Sequence, residues 1–167
     1  MQSITALLDA LQSWPWAVFI HKKAWAFTTV QVVHFFTVSA VLGTIAIVDL
    51  RLLGFASTKR PFAELSRQVL PFTWAAFVLA VIAGLLLFTS RATEYFVNPM
   101  FWIKMLLIAV AGINMMIFEF VTVRDVQKWN LNPTPPPRAR LAGGISIATW
   151  VLVVVFGRLI GFTLQGE

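Results

Sequence analysis

No cysteine occurs in this sequence, which excludes disulfides and thiolate metal sites and leaves the redox compartment unreadable. Histidine is nearly as scarce: His21 and His34, the only two, stand thirteen residues apart, with no pair at metal-ligand spacing. Charge is sparse too, at 12% of residues, where a soluble domain carries about a quarter. There is no Walker loop, no G-x-S-x-G and no HExxH, and the glycines near the C-terminus follow no strand that could open a dinucleotide site. These absences argue against a soluble enzyme. What fills the sequence is apolar: 59% of its 167 residues are hydrophobic and its mean hydropathy is +0.81. The net charge of +6 does not point to nucleic acid, because the thirteen Lys and Arg form no long run and flank apolar stretches, as membrane anchors do.

Between Lys23 and Asp49 no charged residue occurs, nor from Gln68 to Ser90, Tyr95 to Ile103, Met105 to Phe118 or Leu141 to Gly157. About 20 apolar residues carry a helix across the hydrocarbon core, and backbone in lipid must satisfy its own hydrogen bonds. The expectation is an all-α fold: a four-transmembrane-helix bundle forming one domain over 1–167, with spans near 26–50, 69–90, 100–122 and 142–164. Ahead of it, Ile4, Leu7, Leu8 and Leu11 recur at helical spacing and Trp14 and Trp16 follow. This predicts an amphipathic helix over 3–20 lying in the membrane interface. No basic segment precedes an apolar run, so a signal peptide is not expected. Ser57 to Pro61 looks like a cap and a first-turn proline, opening a short helix to Pro71. Asn130 to Arg140, with Pro133 and three further prolines at 135–137, predicts a stiff spacer.

Arg51, Lys59, Arg60, Arg67, Arg124, Lys128, Arg138 and Arg140 flank the loops at one end, against Lys22, Lys23, Arg91, Lys104 and Arg158 at the other. The positive-inside rule then puts the basic loops in the cytoplasm and both termini outside, in the periplasm if the membrane is a bacterial inner membrane. Trp14, Trp16, Trp25 and Trp102 fall at the outer boundary, as an aromatic belt would.

A charge inside a span costs about 2.5–3.5 kcal/mol on insertion scales, so each needs a reason. Up-down order sorts these residues into two layers. The outer layer holds His34, Lys104, Arg158 and Arg91; it reads either as snorkelling cations with a packing histidine or as a pocket for something anionic. The inner layer holds Asp49, Arg51, Glu119 and Arg124, with Asn114 about one and a half turns deeper than Glu119. Opposite charges at matching depth predict a structural ion-pair cluster, and a proton or cation path through Asp49 and Glu119 is the functional alternative. Small residues at Ser39 and Gly43, at Ala76, Ala80 and Gly84, and at Gly157 and Gly161 mark candidate helix-packing seams.

Among cofactors, b-type haem is the candidate. His34 is the sole histidine within a span, so it also stands as the sole candidate metal ligand. His21 lies roughly 20 Å away along a continuous helix, too far to share an iron. A haem would need His34 with a second ligand of another kind or a symmetry mate's histidine, and Lys104 and Arg158 would suit its propionates, with Arg91 a further candidate for the cofactor site.

His34, Gly43 and the run Asp49-Leu-Arg-Leu-Leu-Gly54 are followed by Pro71, Trp74 and Gly84-Leu-Leu-Leu-Phe-Thr-Ser. Then come Tyr95, Asn98-Pro99, Phe101, Lys104, Asn114, Arg140-Leu-Ala-Gly143, Trp150 and Gly157-Arg158. In this order the sequence resembles a bacterial family of small four-helix inner-membrane proteins of unknown function, over most of the chain after about residue 25. More distantly its helix plan is similar to copper-resistance D and cytochrome b561-type membrane domains. The resemblance implies the fold and no particular activity. The leading expectation is a redox-cofactor or anion pocket in the outer half, serving electron transfer or anchoring a periplasmic partner. The alternatives are a permease-like protein for protons, copper or another small solute, and a structural subunit, which includes a homo-oligomer.

Overall fold

The computed structural model of the chain describes residues 2–122, 126–132 and 134–165. Arg124 and Pro133, named above, lie outside the described residues. The described residues contain helices and no strand: α1 (Gln2–Gln12), α2 (Pro15–Lys22), α3 (Ala24–Leu53), α4 (Phe62–Ser90), α5 (Ala92–Val97), α6 (Pro99–Ile117), α7 (Val126–Trp129) and α8 (Pro137–Gln165). Four helical stretches are long and apolar enough to cross a membrane: Ala24–Leu53, Phe62–Ser90, Pro99–Phe120 and Pro137–Thr163. The all-α four-helix membrane bundle read from hydropathy is therefore the observed architecture. We call the end where α3 begins and α8 finishes the upper end, and the end carrying the long loops the lower end.

Local chemistry sets the helix boundaries. The N-terminal segment is two helices, not one, because Pro15 cannot continue α1; it starts α2 at the first-turn position, where its missing N–H costs nothing. Ala17 and Ile20 of α2 are buried, and Gln12 of α1 donates to Thr93 of α5 at 3.2 Å, so the segment packs on the bundle. The short helix expected between Ser57 and Pro71 is merged into α4, which starts at Phe62 and runs through Pro71. No side chain of its own caps α4. Asn130, far along the chain, does so by accepting from the Ala63 N–H at 2.8 Å through Oδ1 and from the Phe62 N–H at 3.1 Å through its carbonyl. α6 opens on Asn98, whose Oδ1 accepts from the Met100 N–H while its Nδ2 donates to Thr163 of α8 at 2.7 Å. Beyond Ile117, α6 widens into a π-helical turn, Phe118–Thr122. α3 ends at Gly54, whose φ of 81° only glycine adopts freely.

Helix α3 packs along α4 and α8, and α8 packs along α6. The backbones of α4 and α6 do not pack along each other. Side chains bridge them at the two ends instead: Phe88 stacks on Phe101 at 5.4 Å near the top, and Phe62 meets Phe118 edge-on at 5.8 Å near the bottom. The bundle is thus a ring with one loose seam. At its lower end Val48, Leu52, Phe62, Trp129 and Ala139 form a buried cluster. Trp14, Trp16, Trp25 and Trp102 are all exposed, as residues meeting the interfacial region are.

Candidate functional site

Two cavities stack along the bundle, each walled by α3, α4, α6 and α8. Val41, at the top of the lower one, and Val153, at the floor of the upper one, are both buried.

The upper cavity holds about 300 Å³. His34 from α3, Lys104 from α6 and Arg158 from α8 all line it. The seat of His34 is specific. Its Nδ1 donates to the Ala80 carbonyl of α4 at 2.9 Å, because a carbonyl can only accept. In the neutral ring that leaves Nε2 as a free lone pair, the arrangement by which proteins orient metal-binding imidazoles. The ring fits because residue 84 is glycine: a Cβ there would meet His34 Cε1 at 3.1 Å. Lys104 runs along Gly157, where an added Cβ would lie 3.8 Å from its Cδ and Cε and 3.9 Å from its Nζ. Arg158 is exposed, with its guanidinium 4.9 Å above the Phe162 ring, so it occupies the rim. Arg91 is not on this wall. It pairs with Glu94 at 3.3 Å and lies 4.8 Å over Phe27.

Gln31 and Tyr95 also line the upper cavity, and sequence reasoning missed both. Gln31 carried a usable signal, since it precedes His34 by one turn and shares its helix face. Tyr95 carried none, because it belongs to α5 and reaches the cavity through tertiary packing. Burial holds its phenol above the ordinary tyrosine range, with Arg91 pulling it back and Glu94 adding to the rise.

The lower cavity holds about 180 Å³, and Asp49, Asn114 and Glu119 all line it. The expected ion-pair cluster is not formed there among the described residues. Asp49 and Arg51 are two residues apart on α3, about 200° around the helix, so they point to opposite sides. Arg51 is fully buried beneath the loops: Nε donates to the Arg60 carbonyl at 3.2 Å and Nη2 to those of Asn130 and Asn132 at 3.3 and 3.1 Å. Asp49 instead shares a side-chain hydrogen bond with Ser146 of α8, and its Oδ2 has no partner. Asn114 donates to the Ala142 carbonyl at 3.0 Å. Glu119 sits on the π-helical turn and is exposed. The close approach of α3 and α8 beside Asp49 requires Gly143, where a Cβ would lie 3.0 Å from Leu52 Cβ and 3.1 Å from the Asp49 carbonyl. Among the described residues, no group of three or more His, Asp or Glu is placed to hold a metal ion.

Fold and span lengths define a multi-pass membrane protein of four spanning helices. Residues 19–163 match the model of a family of unknown function, DUF6644, and the chain belongs to that family. No curated protein and no solved structure matches it.

Proposed function

We propose that the upper cavity is an intramembrane site for a largely apolar, anionic ligand or redox cofactor, bound by His34, Lys104 and Arg158. The protein would then act in electron transfer or as a membrane anchor for a partner. The observation that carries this reading is the meeting of one oriented imidazole and two cations on a single cavity wall. A half-buried cation such as Lys104 is costly without an anion, and a bound anion offsets that cost while Arg158 meets it from the rim and the apolar walls take the rest of the ligand. The basic loops at the lower end favour a cytoplasmic lower end and an upper cavity that opens toward the periplasmic half of an inner membrane.

The residues present fit half of a b-haem site. His34 would supply one nitrogen ligand and Lys104 and Arg158 would suit the propionates, while no second histidine is among the described residues that line the cavity. Bound there, a haem would supply one-electron chemistry, and Arg158 at the rim would hold its carboxylates. Arg91, bound by Glu94, would shape the site's edge without touching the ligand.

The test is an absorption spectrum of detergent-purified protein, oxidised and dithionite-reduced, from cells supplied with haem. A reduced-state α-band lost in His34→Ala establishes the haem version. A featureless spectrum removes it, and native mass spectrometry then asks for an anionic small molecule lost in Lys104→Met with Arg158→Gln. A protein with neither contradicts the proposal.

A second reading, a permease-like protein for protons or another small solute, draws on the lower cavity, where Asp49, Asn114 and Glu119 share one wall system. Flux in proteoliposomes lost in Asp49→Asn would favour it.

A further inference from the structure

The lower cavity plays no part in the anion site proposed above, yet it contains a buried carboxyl group whose cost that site does not explain. Asp49 is 5% exposed, lines the cavity, and leaves Oδ2 without a hydrogen-bond partner. A carboxyl so placed either keeps a proton or needs a cation beside it to ionise. The cation that depth alone would supply, Arg51, points away and is committed to three loop carbonyls. Among the described residues lining the cavity there is no lysine, arginine or histidine, while Glu119 adds a second carboxylate.

The other walls say what kind of cation fits. Trp74 and Phe77 of α4, Phe118 of the π-helical turn and Trp150 of α8 contribute aromatic surface, and about half of the remaining lining is aliphatic. Aromatic faces attract cations, most strongly when water is excluded. A small metal ion would need several oxygen or nitrogen ligands to replace its water. Here no group of three or more His, Asp or Glu is placed to hold one among the described residues, and only Asp49 and Glu119 bring carboxyl groups to the wall, Glu119 from an exposed position. A bulky organic cation brings apolar surface of its own and needs a counter-ion more than a ligand shell. It also has a route: α4 and α6, both on the cavity wall, are not packed along each other between their bridging phenylalanines, so the seam faces the bilayer.

We propose that the lower cavity binds an apolar organic cation of the quaternary ammonium or phosphonium class, with Asp49 as its buried counter-ion. Glu119 attracts the cation at the cavity's lower edge, Trp74 and Trp150 contact it, and entry is lateral, between α4 and α6. The proposal is independent of what the upper cavity holds.

The experiment is equilibrium dialysis of labelled tetraphenylphosphonium against the full chain in nanodiscs. Saturable binding is expected, weakened about thirtyfold or more in Asp49→Asn, as when one partner of a buried charge pair is truncated. Glu119→Gln should weaken it several-fold, and Lys22→Met, exposed on α2 and outside both cavities, should leave it unchanged. Absence of saturable binding, or equal affinity in folded Asp49→Asn, overturns the proposal. Should Asp49→Asn fail to fold, competition on the unaltered protein decides. Neutral triphenylphosphine should not displace the cation, and displacement by it would equally overturn the assignment.

Discussion

The two cavities share four helices and differ in almost everything else. The upper one is larger and basic, with a histidine fixed by a carbonyl and with cations on its wall and rim; the lower one is smaller and acidic, with its buried carboxylate facing aromatic rings. The difference comes from where the chain sends its arginines. At the bottom, Arg51 is drawn out of the bundle to fasten loops, which strips the lower cavity of a countercharge. At the top, Arg158 stays at the rim beside a cavity that already holds Lys104. One fold thus offers opposite charge environments at two depths.

The largest effect should come from breaking the lower fastening. Hydrogen bonds to a charged group contribute about 1.5–3 kcal/mol each, so Arg51→Ala, which removes three, should cost about 4.5 kcal/mol or more of stability. Thermal unfolding in detergent would show it, and Arg51→Lys should recover only part, because an ammonium cannot span three carbonyls as a guanidinium does. Anion binding at the top should survive in any Arg51 variant that stays folded.

Next come the glycines that seat each cavity's key group. Gly143→Ala pushes against backbone and should destabilise by about 1–3 kcal/mol, as overpacking does. Gly84→Ala pushes only against the His34 ring, so its stability loss should be smaller while the histidine is displaced and upper-site binding weakens. Gly112→Ala is the control. Nothing lies within 4 Å of its added Cβ, and a gain of up to about 1 kcal/mol is expected from helix propensity. Equal losses at 143 and 112 would break the claim that α3 and α8 meet tightly beside Asp49.

The smallest effect concerns Tyr95, the chain's one tyrosine, whose ultraviolet titration is therefore free of overlap. With its phenol raised in the folded protein, the unfolded chain ionises first. Stability from this group is whole below a pH of about 10 and falls as pH climbs through the folded value. Tyrosinate absorbance should accordingly appear at higher pH in folded protein than in denatured protein. Coincident curves would place Tyr95 in water, off the upper cavity wall.

How far the sequence could be read follows the same two coordinates, depth and direction. Depth was legible: hydropathy located the spans, and counting along up-down helices set His34, Lys104 and Arg158 at one level, and Asp49, Asn114 and Glu119 at another. Direction around each helix was not. Asp49 and Arg51 share a depth and face opposite ways, so an expected pair became a clasp and a bare carboxyl. Arg91 sits at the right end yet is diverted to Glu94 and Phe27. The cap that Asn130 provides for α4 depends on a partner distant in sequence that no local pattern announces.

The most direct test of the central claim is the paired oxidised and reduced spectrum of the purified protein, followed by native mass spectrometry, on unaltered chain and on Lys104→Met with Arg158→Gln. The account expects a bound haem or another anionic small molecule in the unaltered chain and its loss in the double variant, with the fold retained. An unaltered chain that carries no anionic ligand, or one whose ligand stays when both cations are gone, would contradict it.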